Sequence, residues 1–342
     1  MRKIGKALSV VLVANPSAEH LGSHLKHAAE QMGVPTKLAD LSEAFDGPHW
    51  LQRLYWHFLG HRPIRLSRFN DKVLGICQEE KPDVLIATGI APITAQTLRT
   101  ICNMGTRCIN YLTDDPWNQA NEARHFWPAL REYDVVFSTK RANLEELRQC
   151  GCKKVIYLPF AYAPKVHYPV ESVDDRDRVR FECDVAFAGG ADSDRARVIK
   201  PLIDRGYSVR LFGAYWDRYP DLRPFYGGFA KVNDYRKVAA LARISLCMGR
   251  KANRDGHAMR SFELPAMGAC MLVEDTEEHR ELFGPEGEAV LYWNAISEMV
   301  DKVQWLLDSD EERTRMRAAV QKLINSSRHT YADRLKDILG DI

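Results

Sequence analysis

The stretch Arg254-Asp255-Gly256-His257-Ala258-Met259-Arg260-Ser261-Phe262-Glu263-Leu264-Pro265-Ala266-Met267-Gly268-Ala269 sets two acids eight positions apart across a glycine loop that opens a run of small residues. A helix starting near Ala258 would aim unpaired N–H groups and the positive end of its dipole at phosphate oxygens. Glu263, further along, would accept hydrogen bonds from ribose hydroxyls. Asp255, Gly256, His257, Arg260 and Glu263 are therefore candidates to bind a nucleoside diphosphate. The same residues also fit a solvated loop and a helix on which Arg260 and Glu263 pair at i,i+3. Just upstream, Arg250, Lys251 and Arg254 put three cations on the approach to that helix. They could neutralise a pyrophosphate and stabilise a departing nucleoside diphosphate, or simply form a basic surface loop. Gly189-Gly190, after the apolar run Asp184 to Phe187, is a second place where backbone could approach a phosphate, or a tight turn without a ligand.

The other half of the chain offers candidates for an acceptor. Asp114-Asp115-Pro116-Trp117 follows an apolar strand-like run, so its carboxylates should project from the strand's end. Asp115 could deprotonate an acceptor hydroxyl while Asp114 holds a loop N–H; the competing reading is a helix start with Asp as N-cap and Pro at N1. The two acids are adjacent, which is the wrong spacing for a metal-binding D-x-D. His20, His24 and His27 stand at i, i+4, i+7 and would share one helix face. His20 or His24 is a rival base, metal ligation by the three is the alternative, and Gly22 sits where backbone could approach a substrate. The segment His49 to Phe58 mixes Trp50, Tyr55, Trp56 and Phe58 with Arg53 and is followed by His61, Arg62, Arg65 and Arg68. It reads as a core helix edged by cations; if its aromatic face were exposed, it could seat a glycan or lipid-linked acceptor, or touch a membrane surface.

These residues must be positioned by alternating strands and helices. In the first 160 residues strands are expected at 8–14, 35–41, 84–88, 107–112, 135–138 and 155–158, and helices at 21–32, 51–80, 91–104, 119–132 and 141–150. The segment 159–180, with Pro159, Pro164, Pro169 and a run of charges, reads as a linker. A second αβ series follows, with strands at 184–187, 208–213, 244–248, 270–273 and 289–292 and helices at 195–205, 235–242, 296–307 and 310–326. The pattern implies an α/β protein of two doubly wound, Rossmann-like domains facing a cleft, at 1–165 and 166–326. No G-x-G-x-x-G follows the first strand, which argues against an amino-terminal nicotinamide or flavin site.

Composition narrows the class. The chain has 342 residues, 45% of them apolar, enough for two cores. Its formal charge of +2 gives no general affinity for nucleic acid, so phosphate recognition must be local. Eight scattered cysteines read as reduced thiols of a cytoplasmic protein, and Cys150-Gly151-Cys152 lacks the second pair a structural zinc site needs. Arg2, Lys3 and Lys6 before the apolar run 7–14 imitate a secretory leader, but the run is short and equally suits a first buried strand.

With Arg260-Ser261-Phe262-Glu263 and Gly268, the acid pair resembles the carboxyl-terminal signature of GT-B glycosyltransferases of the group 1 type. It is most similar to the branch of CgeB-like spore-maturation proteins, whose segment reads R-[ST]-F-E-x-x-A-x-G. Lys81-Pro82-Asp83-Val84-Leu85, Tyr111-Leu112-Thr113-Asp114-Asp115-Pro116, Tyr157-Leu158-Pro159-Phe160-Ala161 and His329-Thr330-Tyr331-Ala332-Asp333-Arg334-Leu335 agree with it. The resemblance implies a metal-independent, cofactor-free transfer of a sugar from a nucleotide diphosphate donor. The acceptor hydroxyl would belong to a glycan, small molecule, protein or lipid-linked compound. Glu263 would bind the ribose. Asp255, where relatives often carry Glu, would touch the donor sugar or its phosphate. The terminal helix, within 327–342, would cross back onto the first domain. A nucleotide-sugar epimerase and a non-catalytic nucleotide- or sugar-binding protein are alternatives on the same architecture.

Overall fold

The computed structural model describes residues 8–341; Arg2, Lys3 and Lys6 of the leader-like segment lie outside them. The chain divides into two compact units, one running to Pro159 and resumed from Tyr331, the other Phe160–Thr330.

The first unit contains β1 Val10–Ala14, α1 Leu21–Gln31, β2 Thr36–Asp40, α2 His49–Phe58, α3 Leu66–Glu80, β3 Val84–Thr88, α4 Ala95–Asn103, β4 Arg107–Leu112, α5 Phe126–Leu130, β5 Val135–Ser138, α6 Leu144–Gln149 and β6 Val155–Tyr157. The strands form one parallel sheet in the order β2-β1-β3-β4-β5-β6. Every residue of β1 and β3 is buried, as expected of apolar runs covered on both faces by helices. The chain order reverses between β1 and β3, and the carboxyl ends of these strands flank the crevice where α/β sheets bind ligands.

The second unit contains α7 Asp175–Phe181, β7 Cys183–Ala188, α8 Ser193–Asp204, β8 Val209–Phe212, α9 Val232–Leu241, β9 Ala242–Cys247, α10 Arg260–Ala266, β10 Met271–Glu274, α11 Glu277–Phe283, β11 Leu291–Trp293, α12 Ile296–Asp308 and α13 Asp310–Ser326. Its parallel sheet runs β11-β10-β9-β7-β8, with the reversal between β7 and β9. Apolar layers pack on both faces of this sheet. The last helix, α14 Tyr331–Gly340, belongs to the first unit, where Tyr331 stacks on His24 of α1 at 5.2 Å.

Four expectations about elements are corrected. The helix expected over 51–80 is two helices, because Gly60 and His61 take positive φ and Pro63 follows. The helix expected over 119–132 shrinks to α5, with turns before it. The supposed linker contains α7, started by a reciprocal capping box between Asp174 and Asp177. α11, capped by the Thr276 hydroxyl, was not expected.

Candidate functional site

At the reversal point of the second sheet, the loops after β7 and β9 meet. Gly189-Gly190 leaves β7, and Trp216 donates its indole N–H to the Gly189 carbonyl at 2.8 Å. Gly213, at φ +125°, lies so close that a Cβ there would stand 2.5 Å from the Gly189 oxygen. Arg195 of α8 is buried and donates to the Gly190 carbonyl at 2.9 Å and the Met248 carbonyl at 3.4 Å, tying the two loops together. Arg250 comes from the β9 side, its Nη2 3.3 Å from where a Cβ on Gly190 would sit. Asp192 caps α8 by accepting from the Arg195 N–H at 2.9 Å. Its Oδ2 lies 3.4 Å from the Arg250 Nε and 3.7 Å from the Arg195 Nε. These three buried atoms make no hydrogen bond, and the carboxylate and the two guanidiniums meet at ion-pair distance only.

Arg260 completes the cationic group. Its Nε donates to the carbonyl of Ala188, the last residue of β7, at 3.0 Å, and its guanidinium lies over the Tyr235 ring at 4.5 Å. It is ion-paired with Glu263, so the i,i+3 contact that the sequence allowed is present. Glu263 is 1% exposed and also faces the Nε2 of His167 at 3.6 Å. The His167 Nδ1 accepts from the Ala163 N–H at 3.0 Å, which leaves the neutral ring's proton on Nε2, toward Glu263. Burial holds the His167 pKa down, against the pull of Glu263.

The loop between β9 and α10 differs from the simple anion cradle expected. Asp255 accepts from the Arg250 N–H at 3.0 Å through one oxygen and from the Asn253 amide at 2.9 Å through the other, so it organises the loop. His257 is 2% exposed, accepts from the Phe160 N–H at 3.2 Å and packs edge-on to Phe160 and Phe262. A Cβ on Gly256 would meet the carboxylate end of the Glu278 side chain, which would have to swing away, and the Gly256 carbonyl accepts from the Thr276 hydroxyl at 2.5 Å. The helix starts at Arg260 rather than near Ala258, and the Ala258 N–H is taken by the Ser261 hydroxyl at 3.1 Å. That hydroxyl also meets the Nε2 of buried His279 at 2.8 Å, whose Nδ1 donates to the Glu274 carbonyl at 2.7 Å. Lys251 is exposed.

In the first unit, the loop N–H that Asp114 was expected to hold is bound by Asp115 instead. Asp115 is 1% exposed and accepts from the Trp117 N–H at 3.0 Å, holding the turn. Asp114 is the half-buried member; it accepts from the Thr113 hydroxyl at 3.0 Å and lies beside Gly89, just after β3. His20 is exposed at the start of α1. His24 is buried and His27 exposed, so the three histidines do not share one environment. Gly22 has a packing reason: a Cβ there would overlap the Asn15 carbonyl and stand 2.5 Å from the Ala14 Cβ.

Arg195, His167 and Tyr235 were missed in the sequence. Arg195 opens an ordinary amphipathic helix and His167 lies in a proline-rich segment without periodicity, so neither carries a local signal.

A family model described as glycosyl transferase-like matches residues 195–340. DNA beta-glucosyltransferase of Enterobacteria phage T4 is 24% identical over 205 residues, 56% of this chain and 57% of that protein, so the chain spans little more than half the length of this curated relative. Among solved structures, sucrose-phosphate synthase from Thermosynechococcus elongatus superimposes with a TM-score of 0.67 at 11% identity, covering 98% of each chain. Anabaena HepE in complex with UDP and glucose superimposes with a TM-score of 0.61 at 11% identity, covering 98% of this chain and all of that one. Residues 195–340 are thus a glycosyltransferase-like region, in a chain whose two parallel α/β sheets have the fold of GT-B glycosyltransferases.

Proposed function

We propose that this protein is a glycosyltransferase that moves a sugar from a nucleoside diphosphate, bound by the second unit, to an acceptor hydroxyl bound by the first. The observation that carries this reading is the convergence of Arg195, Arg250 and Arg260 on the Gly189-Gly190 loop at the reversal point of the second sheet. As the glycosidic C–O bond to the diphosphate breaks, charge grows on the leaving oxygen. Guanidinium groups held by backbone carbonyls are already in place to stabilise it. Arg195 and Arg260 are held by backbone carbonyls, Arg250 lies beside the Asp192 carboxylate, and Lys251 is exposed. UDP in the HepE complex supports a nucleoside diphosphate as the ligand class. The R-S-F-E-L-P-A-M-G segment supports a CgeB-like branch, with Glu263 at the ribose and Asp255 acting through the loop it holds. Six buried thiols among eight unpaired cysteines support a reducing, cytoplasmic setting.

On the acceptor side, Asp114 is the better-placed base, because Asp115 is sealed in its turn; His20 is the exposed alternative. The acceptor we favour is a glycan or small-molecule hydroxyl: the phage relative acts by name on DNA, whereas a formal charge of +2 supplies no broad polyanion surface. The test is calorimetric titration of wild type and Arg250→Ala with UDP, in buffer with and without EDTA. We expect micromolar to submillimolar binding that EDTA leaves unchanged and the substitution weakens about tenfold, ~1.4 kcal/mol. Absence of binding to any nucleoside diphosphate would sink the donor assignment.

A further inference from the structure

In the first unit, α2 sends no side chain into a core: none of its residues is buried, which corrects the core-helix expectation. Trp50, Leu54 and Phe58 recur at i, i+4, i+8 and so share one face, with 69%, 43% and 74% exposure. Trp56 lies on the other side of the helix, stacked on His61 at 4.0 Å, and Leu59, also exposed, follows the helix's end. Such a surface has no folding reason, and a contiguous exposed apolar patch of this kind marks a binding face.

The charge around it is one-sided. From Gly47 to Asn70 there is no Asp or Glu, while Arg53, Arg62, Arg65 and Arg68 are all exposed. The acids that bound the stretch are Asp46, paired with Arg65 at 3.7 Å, and Asp71, one turn beyond Arg68. Arg124 joins the same turn, its N–H donating to the Gly60 carbonyl at 3.1 Å. A groove of about 320 Å³ beside the stripe is lined by Arg53, Trp56, His57 and Arg62 over Pro63 and Ile64.

We propose that α2 and the turn through Arg68 dock on an anionic lipid bilayer. Trp50, Leu54 and Phe58 would enter the headgroup–acyl boundary, and the guanidiniums would meet lipid phosphates. Charge complementarity selects this occupant. A second copy of the chain would bring the same cations against these. Nucleic acid would satisfy the arginines but leave a leucine and a phenylalanine stripe with little to bury them. This inference is independent of the sugar-transfer reading, because its readout is vesicle binding alone.

The test is co-sedimentation of the full chain with phosphatidylcholine vesicles, with and without about 30% phosphatidylglycerol. Two surface double variants, Trp50→Ser/Phe58→Ser and Arg53→Ser/Arg62→Ser, are compared with wild type after circular dichroism confirms that they fold. We expect binding only to the anionic vesicles, weakened about tenfold by each pair of substitutions and by raised salt. No vesicle binding, or binding that either variant leaves intact, overturns the proposal. So does a wild-type dimer that Trp50→Ser/Phe58→Ser disperses, or tighter retention on duplex DNA than on the vesicles.

Discussion

Two glycines that touch the same loop should behave in opposite ways. Gly190 has an ordinary backbone conformation, and a methyl there meets only the flexible end of Arg250 at 3.3 Å and the Ala214 carbonyl at 3.7 Å. Gly190→Ala should therefore fold normally, with the reduced freedom of the unfolded chain contributing about 0.4–1 kcal/mol in its favour. Yet the methyl occupies the space where a diphosphate would approach the loop and displaces Arg250, so UDP affinity should fall about 10- to 100-fold, ~1.4–2.7 kcal/mol. Gly213 combines φ +125° with a would-be Cβ 2.5 Å from the Gly189 carbonyl oxygen, which is backbone and cannot swing away. Gly213→Ala should cost about 2–6 kcal/mol, from backbone strain of about 1–3 together with overpacking of about 1–3. Urea denaturation gives stability and titration calorimetry gives affinity for each variant. If Gly190→Ala binds UDP as wild type does, the loop is a plain turn and the donor site lies elsewhere. If Gly213→Ala is as stable as wild type, the close approach of the two loops is wrong.

Three further outcomes are expected. Glu263→Gln keeps the shape but removes the counter-charge of Arg260, and should weaken UDP binding by about 1.5–3 kcal/mol in calorimetry, with unchanged affinity refuting the ribose role. Asp114→Asn should lower kcat at near-constant stability, whereas Asp115→Asn should lower the denaturation midpoint; a reversed pattern would restore Asp115 as the base. Burial lowers the pKa of His279 from 6.5 to about 4, and that of His125 likewise. The unfolded chain then takes up protons that the folded chain refuses, so stability held above pH 6.5 is lost as the pH falls toward 4. His279 alone accounts for about 3 kcal/mol of that loss. Urea midpoints that stay flat from pH 7 to 5 would contradict the burial of these rings.

Strand runs such as Val84–Thr88, Arg107–Leu112 and Val135–Ser138 coincide with the structure because a strand buried on both faces writes its apolar character into consecutive residues. The acid pair and the cations before it were also legible, since a signature held within sixteen residues needs no tertiary knowledge. Lost to sequence reading were features set by a distant partner. His167 and Glu263 are far apart in the chain but 3.6 Å apart in space, and Arg195 gains its place only from the carbonyls of Gly190 and Met248.

The two αβ series, the place of the acid-pair motif between β9 and β10, and the one-signed stretch after Gly47 are legible without the fold, because each follows from local periodicity, spacing or charge. The fold alone separates the candidates that organise a loop from those that gather at the reversal point of the second sheet. Asp255, His257 and Asp115 turned out to hold backbone N–H groups, whereas Arg195, Arg250 and Arg260 gather at the sheet's reversal point. The physical reason is that a carboxylate or imidazole can be satisfied by a nearby main-chain donor or by a substrate. Residue type and spacing are the same in both cases, and only the positions of the surrounding N–H groups tell them apart.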